Sequence, residues 1–214
     1  MPYLPTDVHL AHARHELAAM RALLTPLDLP VPACPGWTLR DLAEHVGGYN
    51  LWVAAAINEG HGDLEPPPAP EDVLAWFDAN AAQELAALAL DPSTPAWTFG
   101  DDRTVAFWRR RRCFEFLIHR WDAEDAHGAP GPIDAELAWD GVLEAVEFFA
   151  PRQVRLGRIE APAYAVEVSD GARSVAFGPG EPAVRVEGTA EELLLGLWGR
   201  RPLPGGVDLS HWTP

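Results

Sequence analysis

The sequence predicts a helical N-terminal bundle, residues 1–130, joined to a small α+β domain, residues 131–214. Three observations carry this. Four stretches before residue 128 place apolar residues three and four apart, the spacing of a helix with one buried face. The run GAPGPI at 128–133 has the composition of a domain boundary. Beyond about residue 164 the texture changes to short segments in which apolar and polar residues alternate, as in half-buried strands.

The first helix is expected from Thr6 to about Leu24, with Leu10, Ala13, Leu17, Met20 and Leu24 as its stripe and Pro26 as its stop. His9, His12 and His15 fall beside or opposite that stripe and read as surface residues. A proline-rich loop, LPVPACPGWT, leads to Thr38 and Asp41, which resemble a capping box opening a second helix over 38–59. Its stripe is Leu42, Val46, Tyr49, Val53 and Ala56. At 100° per residue His45 lies about 60° from Leu42, so it should face inward while Glu44 faces out.

After GHGDLEPPPAP a third helix is expected over 71–90 with an acidic first turn, and a fourth from about Thr104 to His127, capped by Gly128. Between Cys113 and Trp121 apolar residues occur on every side of the fourth helix, which marks it as buried all round. A fifth helix over 134–151 precedes three short strands: YAVEVSD and RSVAFG around an Asp170–Gly171 turn, then AVRVEGT. Thr189 opens a last helix.

With 48% hydrophobic residues and nine tryptophans, 214 residues can build a packed core. All 16 basic residues are arginine, set against 32 acidic ones, and the net charge of −16 repels phosphate backbones and anionic lipid. Neither nucleic acid nor a membrane is expected as a partner. The one basic cluster, Arg109–Arg112, would splay around a helix instead of forming a stripe. Two cysteines without a CxxC motif, and a start, MPYLPTDVHL, without a basic and then apolar run, point to the cytoplasm.

The chemistry concentrates in CFEFLIHRWD, residues 113–122. Glu115 and His119, four residues apart, share one helix face. One explanation is an ion-pair network, with Arg111, Arg112 and Asp122 at helical spacing as partners. The other is a divalent cation, which would compensate a carboxylate and an imidazole in apolar surroundings. His45, placed inward on another helix, completes a two-histidine, one-carboxylate set of the kind that leaves a fourth zinc position open. The same ligand types also serve metal hydrolases and non-haem iron enzymes, but no HExxH is present. Cys34 or His61 is a candidate fourth ligand, Asp122 a partner orienting an imidazole, and Trp37 and Trp121 read as core anchors.

CPGWTLRDLAEHVGG, residues 34–48, and the later ExxxHRWDA, Glu115 to Ala123, resemble the mycothiol-dependent maleylpyruvate isomerase family. VRVEGTAEELLLGLWGR, residues 184–200, is similar to that family's second domain. The resemblance covers most of the chain. It implies a DinB-like four-helix bundle followed by a sterol-carrier-like α+β domain, with His45, Glu115 and His119 binding Zn2+ or another divalent metal. It further implies mycothiol or a similar thiol as cosubstrate and a small electrophilic or unsaturated acid as substrate. In such a reaction the thiolate adds to a cis double bond, rotation follows, and elimination gives the trans isomer. A C-terminal arginine would hold the substrate's carboxylates, with Arg200 the candidate and Arg201 its rival. The expected function is therefore a zinc-dependent, thiol-using isomerase or S-transferase. The alternative is a non-catalytic metal-binding module, regulatory or ligand-binding, which a fourth protein ligand would favour.

Overall fold

The computed structural model describes residues 3–214. The described residues divide into two compact units, residues 5–131 and residues 132–214 with Tyr3 and Leu4.

The first unit is built on four long helices: α1 (Thr6–Leu23), α2 (Leu39–Asn58), α3 (Val73–Leu88) and α4 (Val105–Ala126). They pack chiefly as two pairs, α1 on α4 and α2 on α3. The α2 start is fixed by a complete capping box: Thr38 accepts from the Asp41 N–H, and the Asp41 carboxylate accepts from the Thr38 N–H at 2.7 Å. Gly47 lets α3 approach α2, since a Cβ there would lie 2.5 Å from the Trp76 ring. One turn below, Asn80 donates to the Gly47 carbonyl at 3.1 Å.

Helix α4 is buried on every side from Arg111 to Ala123 except for half-buried Glu115. Its arginines do splay, each to a different place. Arg109 donates to the Leu88 and Leu90 carbonyls, Arg110 lies over Phe114, Arg111 pairs with Glu115, and Arg112 enters the core with Glu84.

Three readings of this unit need correction. His9 is a buried residue, 3% exposed and edge-on to Phe114, because α4 covers more of α1 than the leucine stripe alone. Trp37 is half-buried in the loop before α2 and is no core anchor, whereas Trp121 is. In α3, Asp72 is the N-cap, accepting from the Ala75 N–H at 3.1 Å, so the acidic residues precede the first turn.

The second unit begins with the expected fifth helix, which runs without a gap as α5 (Ala135–Leu143), a π-helical segment (Glu144–Phe149) and α6 (Ala150–Arg155). Pro151 has no N–H to offer the carbonyl four residues back, and the widened turn precedes it. Strands β1 (Ala165–Ser169), β2 (Ser174–Phe177) and β3 (Pro182–Glu187) form a sheet in the order β2-β1-β3. β1 pairs antiparallel with β2 and parallel with β3. Asp170 makes the hairpin turn, its Oδ1 accepting from the Ala172 and Arg173 N–H groups, and Gly171 supplies φ of 88°. Helix α7 (Ala190–Leu197) opens on a second capping box, Thr189 with Glu192, and packs on α5. Among the described residues no helix is long and apolar enough to cross a membrane.

Candidate metal centre

Helix α4 presents Glu115 and His119 one turn apart, and α2 brings His45 to them. His45 Nε2 lies 3.4 Å from Glu115 Oε1, and His119 Nε2 lies 3.3 Å from the same oxygen. One ligand atom from each of the three fits within 4.8 Å of the others. Two donors bound about 2.1 Å from one metal at a tetrahedral angle stand roughly 3.4 Å apart. The spacing therefore fits a cation seated among the three, with little rearrangement. Among the described residues no fourth His, Cys, Asp or Glu joins the set.

Burial grades across the site. The side chains of His119 and Glu115 are 8% and 12% exposed, that of His45 39%. His45 does turn toward α4, but it stands at the edge of the α2 stripe and forms the open side of the site. The Trp37 ring lies against it at 5.1 Å, and the Tyr49 ring stacks beyond it at 6.3 Å.

Partners around the three side chains orient them. His119 Nδ1 meets Asp122 Oδ2 at 2.9 Å, a contact that favours the ring proton on Nδ1 and leaves the Nε2 lone pair available to a cation. Asp122 is fully buried, and Cys34 Sγ lies 3.7 Å from the same Oδ2. Cys34 thus stands behind the histidine and outside the ligand set. His61 engages Glu59 and Asp63 instead.

Electrostatics keep Glu115 ionised. Burial would raise its carboxyl, but Arg111 and the two imidazoles outweigh that and hold it well below the ordinary carboxylate range. Burial lowers and Asp122 and Glu115 raise the His119 imidazole, with a net upward shift. Tyr49 is pushed up to about 12, by burial first and then by the Glu115 charge, so its phenol stays protonated. Under the site, Arg112 donates to Glu84 at 2.6 Å and to Asn50 at 2.6 Å, all three side chains buried. Burial pushes Glu84 up to about 7 against the pull of Arg112. Both expected ingredients are therefore present together: an ion-pair frame of arginines and carboxylates, and within it a histidine–carboxylate–histidine set.

Arg200 belongs to the second unit. Its Nη1 donates to the Trp198 carbonyl at 2.8 Å, and with Arg201, Leu203, Asp208 and Ser210 it lines a pocket of about 370 Å3.

Comparison with known proteins decides the family. Residues 10–124 match the model of the mycothiol maleylpyruvate isomerase N-terminal domain, more than half of the chain. The chain belongs to this family. Residues 136–213 match the model of the family's C-terminal domain. Two proteins of Mycobacterium tuberculosis, one from strain CDC 1551 / Oshkosh and one from strain ATCC 25618 / H37Rv, both described as uncharacterized, are each 32% identical over 159 residues. The match spans 68% of this chain and 81% of each relative. The crystal structure of the mycothiol-dependent maleylpyruvate isomerase superposes with a TM-score of 0.68 at 16% identity, covering 92% of this chain and 90% of that one. A histidine-to-alanine mutant of that enzyme gives the same values. The family fold thus spans both units.

Asp122 and Arg111 were legible as partners by their helical spacing from His119 and Glu115, whereas Tyr49 and Cys34 were not. Tyr49 reads as one more apolar-stripe residue, and only the fold turns it toward His45 and Glu115. The Cys34–Asp122 contact joins residues 88 positions apart, and no spacing rule reports it.

Proposed function

We propose that the protein is a divalent-metal enzyme, with zinc the expected ion, that uses mycothiol or a similar low-molecular-weight thiol as an isomerase or S-transferase. Cis–trans isomerisation of maleylpyruvate is the specific case named by the family. The observation that carries the reading is the convergence of His45 Nε2 and His119 Nε2 on the single oxygen Glu115 Oε1, at 3.4 and 3.3 Å. His45, Glu115 and His119 would hold a divalent ion there, and such an ion would supply Lewis acidity that favours the thiolate form of a bound thiol near neutral pH.

This chain's residues do the rest. Asp122 holds the Nδ1 proton of His119 and fixes the ring. Glu115 stays anionic, and Tyr49 stays a neutral phenol able to donate a hydrogen bond beside His45. The exposed edge of His45 marks the side from which a thiol and an electrophile enter. In the isomerase case the thiol sulfur adds to one carbon of a cis double bond while the electron pair moves toward the conjugated carbonyl. Rotation about the resulting single bond and loss of the same thiol give the trans acid, so no oxidant or reductant is needed. Arg200 is the proposed carboxylate-binding residue, with Arg201 as its rival.

The test is an assay of metal-loaded protein with mycothiol against cis-unsaturated keto acids and epoxides. Turnover that requires both metal and thiol supports the proposal. Failure with every electrophile, together with no thiol binding, refutes it. Arg200→Ala is expected to raise KM for a dicarboxylate with metal content unchanged, and the same outcome in Arg201→Ala alone would transfer the role.

A further inference from the structure

The two oxygens of Glu115 have different surroundings. Oε1 faces both imidazoles, whereas Oε2 is the partner of Arg111 Nη2, one turn back on α4. Arg111 is 2% exposed and Glu115 is nearly as enclosed, so this pair is not the water-screened surface kind that contributes little. The neighbouring arginine does not share the task. Arg112 Nη1 comes only to 4.0 Å from Oε1, and its other nitrogens are spent on Glu84 and Asn50.

We propose that Arg111 is a positioning residue that claims Glu115 Oε2, so that the carboxylate meets the metal through Oε1 alone and a fourth position stays open for the thiol. This rests on the metal-dependent reading above. A carboxylate with both oxygens free can bind a metal in bidentate fashion. Holding one oxygen in a charge-assisted hydrogen bond removes that option. The guanidinium also draws on the carboxylate's negative charge, so a bound ion keeps more of its own positive charge to polarise a thiol. Arg111 therefore acts on the open position without touching substrate.

The test uses Co2+ alone as the probe, followed by mycothiol, on the full chain. The wild-type protein should take up one Co2+ with the intense visible bands of four-coordinate cobalt. Arg111→Met should retain Co2+ but show the weaker bands of a five-coordinate ion, with thiol affinity down about 10-fold or more. Arg111→Lys, which returns a charged donor to Oε2, should restore the strong bands. Should the methionine variant not fold, Arg111→Leu, which also lacks a donor, carries the same expectation. An Arg111→Met protein with wild-type bands and wild-type thiol affinity overturns the inference and leaves the metal reading standing. Loss of Co2+ from both the methionine and lysine variants also overturns it, because Arg111 would then merely hold the helix face in place. A wild-type protein that takes up no Co2+ refutes the metal reading itself.

Discussion

Glu115 and His119 are legible in the sequence because two residues four apart on a helix share a face whatever else the fold does. His45 is legible by its phase on α2, but its 39% exposure is not, since phase gives direction and says nothing of what covers the far side. His9 shows the converse: off the leucine stripe, it is buried by a neighbouring helix. His119→Ala should bring metal content of the purified protein down sharply, and a stoichiometric content would show that the ion sits elsewhere. Asp122→Asn should weaken metal affinity about 10- to 100-fold, measured by competition with a chromogenic chelator, because the His119 ring loses its charged anchor. Unchanged affinity would mean that packing alone fixes the ring.

Among the elements, those with local signals were readable and those decided by packing were not. Thr38 with Asp41 announces the start of α2 and Thr189 that of α7, where the structure adds Glu192 as the partner of a second capping box. The π-helical segment inside the fifth helix is visible only in hindsight at Pro151, because a π-helical turn has no propensity signature of its own. Thr38→Ala should cost about 1 kcal/mol in chemical denaturation. Gly47→Ala should also destabilise, by roughly 1–3 kcal/mol, since the added methyl must displace the Trp76 ring. No loss of stability in the alanine variant would show that α3 can shift freely on α2.

Both capping boxes carry a pH dependence of one sign. Hydrogen bonds from Thr38 lower the Asp41 carboxyl below 3.8, and those from Thr189 lower Glu192 below 4.5. The folded state therefore binds these protons less readily than the unfolded chain. Their contribution is present in full above about pH 4.5 and is lost as pH falls through the lower folded values. Asp41→Asn should flatten the acid limb of the stability profile, and an unaltered limb would remove the box from that role.

For the whole molecule, GAPGPI interrupts every periodic pattern near the point where the chain's contacts divide into two units, and the strand region was legible because alternation replaces helical spacing. The parallel pairing of β1 with β3 was not, since three short strands admit several orders. A metal held by α2 and α4 would tie together the two helix pairs of the first unit, and would stabilise the native state by mass action, by about 2.7 kcal/mol when free metal is 100 times its dissociation constant. Adding a chelator should lower the melting temperature of the wild-type protein and leave that of His119→Ala unmoved. A shift of equal size in both would place the stabilising ion outside this site.

The most direct test of the central claim joins metal analysis of the purified protein to calorimetric titration with mycothiol, in the wild type and in Glu115→Ala. The expected result is one divalent ion per chain, thiol binding in the wild type, and loss of both in the variant. No metal in the wild type, or thiol binding that survives in Glu115→Ala, would contradict it and return Glu115 and His119 to a buried ion-pair network.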